Sequence, residues 1–252
     1  MANHSSMWDW PRLAEIVRDG LADRERLLRE EQAVYGLDSL RELEMHPILA
    51  DSILAQGLGV WRERAYPSMV GTPGARPGKS ARDRCDLVLT PSPDITLADP
   101  IETHREQDWL LGKGTREHTP SLFVDLSTPP SPAPMPGLRE ILPDDAAWIE
   151  IKVVAQFAFT HGVPGPNSAY SSELTGSLAR DLAKLNSEPL VRHGAVMLVL
   201  FTQDERTAEH DVSIALHRCL DRDLRFRAPH SARFAILDRV GNARCTIVIV
   251  PT

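Results

Sequence analysis

Gly78-Lys79-Ser80 closes a Gly- and Pro-rich stretch, "GTPGARPGKSARDRCDLVLT", and is the kind of tripeptide that ends a phosphate-cradling loop. Such a loop needs a glycine five places before the Gly-Lys pair, a strand ahead of it and a helix behind it. Pro73 occupies the glycine's place and has no amide to offer. The segment that follows, "DRCDLVLT", reads as a strand. The stretch therefore predicts a connection between two strands rather than a nucleotide site. The residue with chemical potential is Asp86, which interrupts the apolar run of Cys85, Leu87, Val88 and Leu89. A second such place is "AAWIEIKVV", Ala146 to Val154. Alternation puts Glu150 and Lys152 on one face of that strand and Ile149, Ile151 and Val153 on the other. Unpaired charge on strands that read as buried is costly, so these groups must be compensated. The structural alternative is an ion pair between Glu150 and Lys152, with Asp86 capping a strand end.

Helical periodicity runs from Trp10 to about Tyr35 through Leu13, Ile16, Val17, Leu21, Leu27 and Leu28. A second helix is expected from Ser39 to Gln56, with Ser39 and Glu42 at capping-box spacing; Pro47 inside it means a kink or a meeting of two helices. Strands follow at Gly59 to Tyr66 and Arg84 to Thr90. Pro91 to Pro143 reads as an insertion, because "LSTPPSPAPMPG" cannot sit inside a sheet. After the strand of Glu150 come a helix over Ser172 to Leu185, an almost wholly apolar strand over Ala195 to Thr202 and a helix from Glu205 to about Arg222. Two last strands, Ala232 to Val240 and Ala243 to Val250, flank Gly241-Asn242 as a hairpin. The order predicts an α/β fold, a mixed central sheet flanked by helices, with residues 1–38 an N-terminal helical segment and 39–252 the main domain.

The chain has 252 residues, 42% of them hydrophobic, enough for a substantial core. No signal peptide or membrane-spanning run is legible, so a cytoplasmic protein with no membrane partner is expected. Cys85, Cys219 and Cys245 lie far apart, as small core residues do. A net charge of −7 excludes a uniformly basic surface. The stretch from Trp61 to Cys85 is nevertheless basic, with Arg62, Arg64, Arg76, Lys79, Arg82 and Arg84 against Glu63 and Asp83. His46, His161, His193, His210 and His217 show no metal-ligand spacing and read as surface histidines; Asp181 and Lys184 read as an exposed helical pair.

Asp86 on one strand, Glu150-Ile151-Lys152 on the next, a helix before the first strand, and a helix and apolar strand after the motif together resemble the PD-(D/E)XK nuclease superfamily, the restriction-endonuclease-like fold. The resemblance spans Ser39 to Thr202. It departs in having Cys85 where the family motif carries a proline, which many members also lack, and in the about sixty residues between Asp86 and Glu150, a length the insertion accounts for. It implies that Asp86 and Glu150 hold Mg²⁺ or Mn²⁺, that the Ile151 carbonyl assists, and that Lys152 orients or deprotonates the attacking water and offsets transition-state charge. The implied reaction is phosphodiester hydrolysis, with DNA the expected nucleic acid and Arg76, Lys79, Arg82 and Arg84 as phosphate contacts. The rival expectation is a noncatalytic nucleic-acid-binding or assembly module on the same fold. The first helix offers a surface for a second copy or a protein partner.

Overall fold

A computed structural model describes residues 8–67, 84–98 and 139–252. The first helix, α1 (Trp10–Glu30), starts at Asp9, whose carboxylate accepts from the Arg12 N–H at 2.9 Å, with a proline in its first turn. Its apolar stripe, Leu13, Ile16, Val17 and Leu21, is buried in the same core as the sheet. Helix α2 (Glu42–Leu54) runs through Pro47 as one element, so two helices do not meet there. Its capping also differs from the expectation. Glu44, not Glu42, reaches back to the Arg41 N–H, at 2.8 Å. That leaves the Glu42 side chain available for other work.

The central sheet has six strands in the order β1-β2-β5-β8-β10-β9. They are β1 (Gly59–Ala65), β2 (Arg84–Thr90), β5 (Ala147–Ala155), β8 (His193–Thr202), β10 (Arg244–Pro251) and β9 (His230–Ala235). Only β5 and β8 pair in parallel; every other neighbour is antiparallel. A parallel pair cannot be closed by a tight turn. The crossover between β5 and β8 carries a hairpin of β6 (Phe157–Thr160) and β7 (Val163–Pro166), a helical turn at Tyr170–Ser172, a π-helical turn at Glu173–Ser177, and α3 (Leu178–Asn186). His161 and Gly162, both at positive φ (52° and 81°), make the tight turn between β6 and β7. Helix α4 (Glu205–Leu220) follows β8, its N-terminus capped by Asp204, which accepts from the Thr207 N–H at 2.7 Å.

The mixed sheet flanked by helices is thus an α/β arrangement of three layers. Leu87, Ile149, Ile151, Met197 and Ile247 face α1 and α2, while Trp148, Val154, Leu198 and Val248 face α3 and α4. β8 is buried on both faces from Gly194 to Thr202, as its unbroken apolar run requires. The three cysteines are buried and free.

Within the span Pro91 to Pro143, β3 (Ile95–Leu97) and β4 (Arg139–Ile141) pair in parallel as a small second sheet. Residues 99–138, including the whole Pro-rich run, lie outside the described residues. The end of the chain is not the expected two-residue hairpin. β9 stops at Ala235, and Asn242 is buried, accepting from the Phe157 N–H at 3.1 Å and donating to Asp38 and to the Phe157 carbonyl, each at 2.9 Å. A side chain that must satisfy three groups inside the protein cannot sit at a solvent turn. Among the described residues no helix is long and apolar enough to cross a membrane.

Candidate active site

The β2–β5 ladder runs Leu89↔Ala147, Val88↔Trp148, Leu87↔Ile149 and then stops. Beyond it the Ile151 N–H donates to Asp86 Oδ2 at 2.7 Å, so a side chain replaces the next ladder acceptor. On the other side of β2, pairing with β1 skips Glu63, which lies between the paired Arg62 and Arg64 in the left-handed region at φ 54°. The β1–β2 register is the same on either side of it. Cys85 packs in the core layer of Val88 and Trp148, opposite Leu87 and Leu89.

Glu150 is 5% exposed. It shares strand parity with Trp148 and Val154, both buried, so the face that carries it is core as well. Its compensation comes from other elements. The Tyr66 hydroxyl, itself fully buried and stacked on Trp148, donates to Glu150 Oε1. Lys184 Nζ of α3 stands 2.8 Å from the same oxygen and donates to the Arg84 carbonyl at 3.0 Å. Lys152 Nζ lies 3.1 Å from Glu42 Oε2 on α2 and 3.3 Å from Asp181 Oδ2 on α3. Helices from opposite layers thus meet at one ammonium, where the end of the β2–β5 ladder leaves the sheet open.

The electrostatics follow from this crowding. Burial, and then the charge of Glu150, push the Asp86 carboxyl up to about 8, against the pull of the Ile151 N–H. Asp181 is also raised, by burial first, although Lys152 opposes the shift. Burial lowers Lys152, but Asp181 and Glu42 outweigh it and hold the group above the usual ammonium range. Burial and Glu150 drive the Cys85 thiol well up, so it is not a thiolate nucleophile. Four carboxyls, Glu42, Asp86, Glu150 and Asp181, stand against two ammonium groups, Lys152 and Lys184. Two negative charges are left over when all are ionised. That excess, on hard oxygen donors, fits a divalent cation.

The residues singled out in the sequence therefore divide. Asp86, Glu150 and Lys152 meet in one place, but Glu150 and Lys152 do not pair with one another; each takes its partners from α2, α3 or Tyr66. Arg84 is exposed and its guanidinium donates to the Glu63 carbonyl at 2.7 Å. Arg76, Lys79 and Arg82 lie outside the described residues, as does Gly78-Lys79-Ser80. The strands on either side of that stretch, β1 and β2, pair antiparallel.

Sequence reasoning missed four partners. Asp181 and Lys184 are not an exposed pair; both point into the site. The signal was present, because Asp181 falls between Leu178 and Leu185 at spacings of three and four, on the apolar stripe itself. Glu42 was masked by its apparent capping role. Tyr66 gave no signal beyond its place at the end of a strand. His46 is likewise not a surface histidine: it is fully buried, and among the described residues neither ring nitrogen has a hydrogen bond. One of its ring nitrogens and single oxygens of Glu42 and Asp86 all lie within 4.8 Å of one another. The chain matches no family model, no curated protein and no solved structure.

Proposed function

We propose that this protein is a divalent-metal-dependent nuclease that hydrolyses phosphodiester bonds, with DNA as its expected substrate, on a restriction-endonuclease-like fold. The observation that carries the reading is the convergence of Asp86, Glu150 and Lys152 where β2 and β5 part. The order of a helix, three antiparallel strands, a helix-bearing crossover and a parallel strand gives it further support.

In this reading Asp86 and Glu150 hold Mg²⁺ or Mn²⁺, which when bound supplies positive charge to the attacked phosphate. The Ile151 N–H fixes one oxygen of Asp86, and Tyr66 and Lys184 fix one oxygen of Glu150, so both carboxylates are oriented before any ion arrives. Lys152, kept protonated by Glu42 and Asp181, serves as a cationic donor to a phosphate oxygen or to the attacking water rather than as its base. The water oxygen bonds to phosphorus, the phosphorus–oxygen bond to the leaving strand breaks, and a hydroxyl and a phosphate monoester result.

A second reading, a noncatalytic nucleic-acid-binding or assembly module, is favoured by one observation: Lys152 is already engaged by two carboxylates. The two readings separate in one assay. Purified protein is incubated with linear, circular and single-stranded DNA and with RNA, with Mg²⁺, with Mn²⁺ and with chelator. Cleavage that needs metal and is lost in Glu150→Gln and Lys152→Ala, with nucleic-acid binding retained, supports the nuclease. Full activity in Lys152→Ala refutes the site. Binding without cleavage on every substrate favours the module.

A further inference from the structure

We propose that Glu42, His46 and Asp86 form a mixed nitrogen and oxygen metal site that selects a divalent transition ion such as Mn²⁺ over Mg²⁺. It shares Asp86 with the nuclease reading but does not rest on any cleavage activity.

Three observations carry the site. Glu42 and His46 are four residues apart on α2, so they project from one face of the helix, toward β1 and β5. Asp86 on β2 completes the set, with one donor atom from each residue inside a 4.8 Å cluster. His46 is the independent pointer to a ligand. Its side chain is wholly buried, yet neither ring nitrogen has a hydrogen-bond partner among the described residues; its nearest acid, Glu63, stands 3.9 Å from Nδ1, too far for a hydrogen bond. A buried imidazole left unsatisfied costs free energy unless something accepts its lone pair or its proton.

A ring nitrogen with no hydrogen-bond partner keeps a lone pair for coordination. Asp86 and Glu42 bring the negative charge. Lys152 occupies only one oxygen of Glu42, and a carboxylate has capacity beyond one such contact. Imidazole nitrogen is a poor ligand for Mg²⁺, which prefers oxygen and retains water, and a good one for first-row transition ions. His46 thus sets the choice of ion, while the acids set its charge.

The test uses the full-length protein and MnCl₂ or MgCl₂ alone. Mn²⁺ affinity is measured by titration calorimetry, and the bound ion is examined by pulsed electron paramagnetic resonance, in which a coordinated imidazole appears as nitrogen modulation of the Mn²⁺ echo. The wild type should bind Mn²⁺ at least about tenfold more tightly than Mg²⁺, with nitrogen modulation present. His46→Gln should abolish the modulation and weaken Mn²⁺ by about tenfold or more, since removal even of outer partners of a ligand has effects of that size. Glu42→Gln, a change on a more exposed side chain, should weaken Mn²⁺ while leaving the modulation; it decides the matter should His46→Gln not fold. Absence of Mn²⁺ binding, bound Mn²⁺ without nitrogen modulation, or unchanged affinity in either folded variant overturns the proposal. Metal bound through His46 in a protein that cleaves nothing would refute the nuclease reading and leave this site standing. Cleavage with Mg²⁺ that His46→Gln leaves intact, with no nitrogen modulation in the wild type, would do the reverse.

Discussion

Asp86→Asn should stabilise the metal-free protein, and by more as the pH rises. In the unfolded chain Asp86 titrates near 3.8, whereas in the folded protein burial and the charge of Glu150 push it up to about 8. Below pH 4 both states hold the proton and the aspartate has no pH-dependent cost. Between those values the unfolded chain ionises and the folded one does not, so folding loses about 1.4 kcal/mol for each pH unit. The full interval sets an upper limit of roughly 6 kcal/mol, and the mutual relief available to Glu150 and Glu42 brings the expected gain at pH 8 to about 1–3 kcal/mol. The amide is isosteric, keeps an oxygen for the Ile151 N–H, and offers Glu150 a donor. Urea unfolding followed by circular dichroism in chelator, from pH 4 to 8.5, provides the measurement. The two proteins should converge at the acid end and separate steadily above it. Added Mn²⁺ should offset most or all of the difference, since an ion at a hundred times its Kd stabilises the wild type by about 2.7 kcal/mol and the variant has lost a ligand. A stability difference that does not change with pH, or a variant less stable than wild type at pH 8, would refute the electrostatic account of Asp86.

Tyr66→Phe removes the hydroxyl that holds Glu150 and should cost about 1 kcal/mol of stability in urea. It should also slow cleavage by about tenfold, as loss of an outer partner does; an unchanged rate would make Tyr66 purely structural. Asn242→Ala strips partners from Asp38 and from both backbone groups of Phe157, and should destabilise the fold by about 2–4 kcal/mol without altering metal affinity. A loss under about 1 kcal/mol in the same unfolding assay would mean that water replaces the amide there.

The sequence by itself determined the segments that become the six strands of the central sheet and its main helices, and which acids disturb them. Apolar periodicity depends on neighbours a few residues away, so β8, α4 and the anomaly of Asp86, Glu150 and Lys152 were all legible. Even Asp181 was legible in retrospect, because its spacing to Leu178 and Leu185 is local. What only the tertiary structure decided is who compensates whom. Lys152 finds Glu42 and Asp181, and Glu150 finds Tyr66 and Lys184, across distances in sequence that no periodicity encodes. The role of Glu42 turned on which glutamate captured the Arg41 N–H. Burial of His46 depended on α2 closing over the sheet. Charges and lone pairs are satisfied in three dimensions, by whatever the packing brings within about 3 Å; the chain specifies that packing collectively, and no short stretch of it carries the answer.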